Sequence, residues 1–311
     1  MAEKRRKKAL IITLIALLLV VVTIAVLMPD DIKRRTGNDK IAVIPITGQI
    51  TISTLQGPLS FATSGSFSQG VIAQIDEAEK DPSVKAIIFD INSPGGTVVA
   101  SKEISDRIAS AKKPTVALIR ETGTSGAYWI AAATDSIVAD PLSLTGSIGV
   151  TGSYLEFEGL MDKYGVGYEQ LTTGEYKDTG SPFRKLTDEE RKILQAKLNN
   201  IHEYFLRDVA AKRGMSLEEL RTVDSGIFYL GIEAKELGLV DHLGGKDRAI
   251  DVAKELAGIK EASVKTFEEK KTFFDLLQSI RSEGMYSFGR GFADAMYDKN
   301  LKASSEFRIT A

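Results

Sequence analysis

The longest unbroken apolar stretch of the chain runs from Ala9 to Met28, 20 residues with no charge and only Thr13 and Thr23 as polar side chains. At about 1.5 Å per helical residue it spans roughly 30 Å, the thickness of a bilayer's hydrocarbon core. Lys4, Arg5, Arg6, Lys7 and Lys8 precede it; Lys33, Arg34 and Arg35 follow, behind Asp30 and Asp31. The stronger basic flank is N-terminal, which predicts a single-pass cell-membrane anchor with the N-terminus cytoplasmic and the body extracytoplasmic. A cleaved secretory signal is the competing reading, but Val26-Leu27-Met28-Pro29-Asp30 makes a poor small-x-small cleavage site. The polar residues 29–39 read as a juxtamembrane linker.

Beyond the linker, short β-rich runs alternate with helical periodicity. Ile41–Ile46, Val84–Phe89, Thr115–Ile119 and Ser136–Ala139 read as strands, and Gly167–Thr172 as a further one. Helices are predicted over 67–80 and 97–112, from near Ser125, from Thr187 to about Lys212, and over Lys246–Ala257. Thr187 with Glu190, and Ser216 with Glu219, have capping-box spacing. Continuous apolar strands separated by helices predict an α/β fold, a mostly parallel sheet with helices on its faces. The expected organisation is a basic N-terminus 1–8, an anchor 9–28, a linker 29–39, a body 40–270, and a segment 271–311 rich in aromatic residues that packs on the body or on another subunit.

Composition narrows the chemistry. The chain has no cysteine, which excludes a thiol nucleophile, disulfides and thiolate metal sites. The first 35 residues hold eight Lys/Arg and three Asp/Glu, so the remainder carries 32 basic and 39 acidic residues. A mildly acidic body argues against nucleic acid as a partner.

Four short motifs remain. Asn92-Ser93-Pro94-Gly95-Gly96 follows a strand, and its glycines allow backbone N–H groups to approach a ligand. Thr122-Gly123-Thr124-Ser125-Gly126-Ala127-Tyr128-Trp129 places a serine where a strand gives way to a helix. Leu144-Thr145-Gly146-Ser147-Ile148-Gly149 is a small-residue turn with a hydroxyl, and Gly174-Glu175-Tyr176-Lys177-Asp178 carries a lysine. Singly, each has a bland explanation: turn chemistry, a helix cap, a solvated lysine. A catalytic serine needs a base, and the two histidines, His202 and His242, lie in unrelated contexts. Lysine is the alternative base; it must be neutral to accept a proton, which desolvation favours.

Together the motifs S-P-G-G, S-G-x-Y-W, L-T-G-S-I-G-V and G-x-Y-K-D, in this order and with a spacing of 52 from Ser125 to Lys177, resemble the signal peptide peptidase A (SppA) family. The resemblance covers Ile41 to Leu243 and includes the N-terminal anchor. It implies a Clp-protease/crotonase-like fold and a Ser/Lys-dyad serine endopeptidase. It further implies Ser125 as nucleophile, Lys177 as general base and Ser147 as the hydroxyl that hydrogen-bonds the lysine. Gly96 and Gly126 would be the oxyanion donors, with no cofactor and no metal. The implied partners are peptide substrates, remnant signal peptides; membrane lipid through residues 9–28; and further copies of the chain in a homo-oligomeric ring that helps complete each site. The family often has A-S-G-G-Y where this chain has T-S-G-A-Y; Ala127 leaves the Gly126 donor in place, so catalysis is expected to survive with an altered pocket beside the nucleophile. Longer family members split serine and lysine between tandem halves; here one copy carries both. A stomatin-associated Ser/Lys protease, a crotonase-like acyl-CoA enzyme and a catalytically silent ring-forming scaffold are the alternatives.

Overall fold

A computed structural model describes residues 39–52 and 65–267. The predicted anchor, the linker up to residue 38 and the segment 271–311 lie outside the described residues. Among those described, no helix is long and apolar enough to cross a membrane.

The chain enters with β1 (Lys40–Thr47), β2 (Gln49–Thr51) and β3 (Gly65–Phe67), followed by α1 (Ser68–Lys80), β4 (Val84–Ser93), α2 (Val98–Ala109), β5 (Thr115–Thr124) and α3 (Gly126–Ala131). Then come β6 (Ser136–Ala139), β7 (Leu144–Gly146), α4 (Glu158–Tyr164), α5 (Asp188–Arg213) and α6 (Leu217–Arg221). The described chain closes with β8 (Phe228–Leu230), α7 (Gly231–Glu236), β9 (His242–Leu243), α8 (Lys246–Ala257) and β10 (Ser263–Thr266). The main sheet has the order β10-β1-β4-β5-β6-β9 with every neighbour parallel; β7 pairs parallel with the end of β5, and β8 pairs antiparallel with β7. The expected α/β architecture holds.

Alternation along the strands divides the core. Ile87, Phe89 and Ile91 of β4, with Ile44, Ile46, Ala117 and Ile119, face the larger apolar cluster, which includes residues of α1, α2, α3 and α5. Ala86 and Ile88, with Ile41, Val43, Val116, Leu118 and Val138, face a smaller one closed by Ala249, Val252 and Ala253 of α8. A strand covered on both faces reads as a continuous apolar run, which is why these strands stand out in the sequence.

Other elements depart from the expectation. Gly167–Thr172 forms no strand; the stretch is exposed irregular chain between α4 and α5. Its β-rich composition has no neighbouring strand to pair with, and pairing rather than propensity makes a strand. The short β2, β3, β7, β8, β9 and β10 were not foreseen, being too brief for periodicity to register. Both capping boxes form as spaced: Thr187 Oγ1 accepts from the Glu190 N–H, and Ser216 Oγ from the Glu219 N–H.

Candidate active site

Two adjacent parallel strands deliver two glycine turns to the same place. Ser93 at the end of β4 stands opposite Gly123 near the end of β5, so the turns after them leave the sheet side by side at its carboxyl edge, where open α/β sheets build their sites. The Asn92 side-chain carbonyl accepts from the Thr122 N–H at 3.2 Å, which cross-links the turns.

The first turn is held from within. The buried Ser93 hydroxyl donates to the Gly48 carbonyl and accepts from the Gly95 N–H at 3.1 Å. Gly95 takes φ +101°, and a Cβ there would lie 2.8 Å from the Gly126 nitrogen and 3.1 Å from Ser125 Cβ. Gly96 lies against β2: the Ile50 N–H donates to the Gly95 carbonyl and the Thr97 N–H to the Ile50 carbonyl. In this parallel bridge the Gly96 N–H points the other way and has no partner among the described residues. A Cβ on Gly96 would stand 1.9 Å from the Ile50 carbonyl oxygen, so only glycine fits.

The second turn carries Ser125, half-buried, with φ 54° and ψ −124°. Such a conformation for a residue with a side chain stores on the order of 1–3 kcal/mol and persists only where its surroundings enforce it. Enforcement comes from both sides. The Ser125 N–H donates to the Gly146 carbonyl at 2.8 Å, and the Ser125 carbonyl accepts from the Trp129 N–H at 3.0 Å in the first turn of α3. All six residues of α3 are buried. The Gly126 N–H has no partner among the described residues, and the Gly96 nitrogen lies 3.3 Å from where a Cβ on Gly126 would stand. Two free backbone donors thus sit beside one accessible hydroxyl.

Ser147 is the other non-glycine residue with positive φ (52°) among those described. It follows Gly146, whose carbonyl holds Ser125, and its hydroxyl donates to the Gly226 carbonyl at 2.8 Å. Among the described residues no donor reaches its hydroxyl oxygen. Ser125, Gly126 and Gly96 are therefore brought together, and Ser147 adjoins them through Gly146. Lys177 is exposed, in a turn closed by its N–H to the Gly174 carbonyl, and its ammonium makes no hydrogen bond or ion pair with any described residue.

The residue after Lys177 is anchored by a cluster that sequence reasoning missed. Arg184 grips Asp178 with two hydrogen bonds of 2.6 and 2.8 Å and reaches Glu190 with two more. Glu190 also accepts from the Thr187 N–H and the Thr179 hydroxyl. The Arg184 hydrogen bonds, then those from Thr187 and Thr179, hold the Glu190 carboxyl far below the ordinary carboxylate range; Arg184 likewise lowers Asp178. Glu190 was legible as a helix cap, but its second role depends on a loop returning to it.

Against known proteins, residues 107–260 match the model of peptidase family S49, and residues 59–138 match that of Clp protease. A candidate protease of Methanocaldococcus jannaschii is 34% identical over 265 residues, covering 84% of each chain. The chain belongs to peptidase family S49. A candidate signal peptide peptidase SppA of Enterococcus faecium is 32% identical over 248 residues, 79% of this chain and 72% of that one. The chloroplastic serine protease SPPA of Arabidopsis thaliana is 32% identical over 255 residues, 79% of this chain but 37% of that longer one. The S49 chain is a serine peptidase with a Clp protease-like fold, as the motifs led us to expect.

Proposed function

We propose that this chain is a membrane-anchored endopeptidase that cleaves remnant signal peptides and similar extended peptides through an acyl-enzyme on Ser125. The observation that carries the reading is the convergence at Ser125: a strained, accessible hydroxyl beside the two unpartnered N–H groups of Gly96 and Gly126. A peptide carbonyl seated there is attacked by Ser125 Oγ while Lys177, neutral, takes the hydroxyl proton. Negative charge develops on the carbonyl oxygen between the Gly96 and Gly126 donors, each worth about 3 kcal/mol. The C–N bond breaks as the protonated Lys177 delivers its proton to the leaving amine. Water, deprotonated by Lys177, then releases the acyl group and restores Ser125. Ser147 accepts a hydrogen bond from Lys177 and aims it.

In the single chain the lysine turn is exposed, so the working site needs it covered. Tyr154, Leu155, Leu160, Tyr164, Val166 and Leu171, on the same excursion as Lys177, are all exposed, and clustered exposed apolar side chains are the mark of an association surface. We assign its cover to neighbouring copies in a homo-oligomeric ring, whose subunits complete one another's sites. Residues 9–28 hold the ring at the cell membrane with the body extracytoplasmic.

The test is reaction of the full-length chain in detergent with a fluorophosphonate probe, with the adduct mapped by mass spectrometry. Labelling of Ser125 in the wild type, absent in Ser125→Ala and suppressed in Lys177→Ala, is the expected result. A folded, assembled wild type that takes no label sinks the assignment.

A further inference from the structure

The nucleophile's helix is held at its far end by a polar ring that the peptidase chemistry leaves unused. Trp129, four residues after Ser125, is the chain's single tryptophan and is almost fully buried. Its indole N–H donates to Asp208 Oδ2 at 2.6 Å. Lys212 Nζ donates to the same carboxylate oxygen at 2.6 Å and to the Ser105 hydroxyl at 2.9 Å. The Ser105 hydroxyl in turn donates to the Trp129 carbonyl at 2.9 Å. The circuit Trp129 indole, Asp208, Lys212, Ser105, Trp129 carbonyl is closed, and it joins α2, α3 and α5. Phe205 stacks on the indole, with ring centroids 4.3 Å apart and an angle of 17° between planes.

Two features make this more than packing. The ring is largely shielded from water: Ser105 is fully buried, and the Lys212 and Asp208 side chains are 13% and 22% exposed. A charged pair in such a place adds little net stability over an apolar one, so its value lies in geometry. The tethered residue is also the one whose N–H closes the first helical bond to Ser125. Fixing Trp129 at both its indole and its carbonyl leaves α3 no rotation about its axis, and Ser125 cannot relax from φ 54° while α3 is fixed and Gly146 holds its N–H.

We propose that Asp208, with Lys212 as its counter-charge, is a positioning residue for the nucleophile, acting through Trp129 to hold Ser125 in its reactive backbone conformation. This rests on the reading of Ser125 as nucleophile. Asp208 touches neither substrate nor Ser125, so its loss lowers the reactivity of the serine and leaves peptide binding in place.

The test uses the full-length chain and four variants: Asp208→Ala, Asp208→Asn, Trp129→Phe and, as a control, Arg107→Gln. The control loosens the Arg107 pairing with Glu79 between α2 and α1, away from Ser125. Trp129→Phe keeps a ring against Phe205 and removes the indole donor, leaving a small cavity whose cost the thermal midpoint reports. Rates of fluorophosphonate labelling at Ser125, kcat and KM on a fluorogenic peptide, and thermal midpoints are measured for each. Trp129 emission is followed in the Asp208 variants and the control. Asp208→Ala and Trp129→Phe are expected to lower the labelling rate and kcat together by about tenfold to a hundredfold, the range set by displacements of about 1 Å, with KM within twofold. Asp208→Asn, which still accepts the indole hydrogen bond, recovers part of the loss. Arg107→Gln lowers the midpoint without slowing labelling. The proposal is overturned if Asp208→Ala shifts the Trp129 emission and Ser125 still labels at the wild-type rate. It is overturned equally if Arg107→Gln slows labelling as much, since general destabilisation then accounts for the effect. A wild type that takes no label at Ser125 removes the nucleophile itself, and the inference with it.

Discussion

Ser125 and Lys177, the proposed nucleophile and base, occupy two differently built parts of this chain. Around Ser125 almost every group is spoken for: the turn after β4 is tied by Ser93, the turn after β5 by Gly146, and α3 is buried throughout. Around Lys177 the chain runs from about residue 151 to 187 with one short helix and mostly exposed side chains; Leu171 is 92% exposed and Leu155 73%. One half of the proposed site is thus preorganised by the chain's own core. The other half is held chiefly through the Arg184 cluster and leaves most of its side chains open to solvent. On the ring assembly proposed above, such a peptidase withholds activity from the free chain and acquires it where copies and substrate meet.

The largest expected effect comes from breaking the preorganised half without touching a reacting side chain. In Gly96→Ala the new methyl meets the Ile50 carbonyl at 1.9 Å, against backbone that cannot swing aside. Removing one oxyanion donor costs on the order of 10²–10³ in kcat, and the displaced turn is expected to lose that much in peptide hydrolysis. The overpacking also destabilises the fold by about 1–3 kcal/mol, seen in chemical denaturation. An active Gly96→Ala would show that this turn does not form the site.

A smaller effect is expected from the anchored point in the looser half. Arg184→Met leaves Glu190 and Asp178 without their cation, and limited proteolysis should cut between residues 165 and 187 faster than in wild type, with the sheet intact. The pH dependence has a definite sign. Both carboxyls are held below their ordinary values in the folded chain, so their contribution is fully present above the ordinary carboxylate range. It is lost as pH falls through and below that range. Wild type should therefore gain protease sensitivity in this segment on acidification below about pH 4. Arg184→Met should be sensitive already at neutral pH, with little further change.

The smallest effect on the isolated fold, and the sharpest test of what covers the looser half, comes from Leu171→Lys. A substitution at so exposed a site changes the stability of a single chain by less than about 0.5 kcal/mol. Buried between copies, the same charge weakens assembly, so sedimentation velocity should show a lower oligomer at equal concentration and activity should fall with it. An unchanged sedimentation profile would remove this face from the interface and leave the peptide as the cover.

Much of the molecule was legible along the chain. The paired apolar runs at Ile41, Val84 and Thr115 became the central strands because residues buried on both faces leave no polar alternation to confuse the reading. The Thr187 and Ser216 caps formed as spaced because capping is local: donor and acceptor lie three residues apart. The order of the motifs placed Ser125, Ser147 and Lys177 in one family pattern, which membership in peptidase family S49 bears out at the level of the family. Propensity misled at Gly167–Thr172, where no partner strand waits.

What only the tertiary structure decided is how residues far apart in the chain meet. The register of β4 on β5 sets Ser93 opposite Gly123 and so brings Gly96 to Gly126. The crossing of α5 over α3 gives Trp129 its carboxylate 79 residues away, and the return of the loop to Glu190 turns a helix cap into an anchor for the lysine turn. The physical reason is the same in each case. Turns, caps and apolar periodicity are properties of a few neighbouring residues, whereas strain at Ser125 and the pairing of buried charges exist only once separate elements have packed and excluded water from between them.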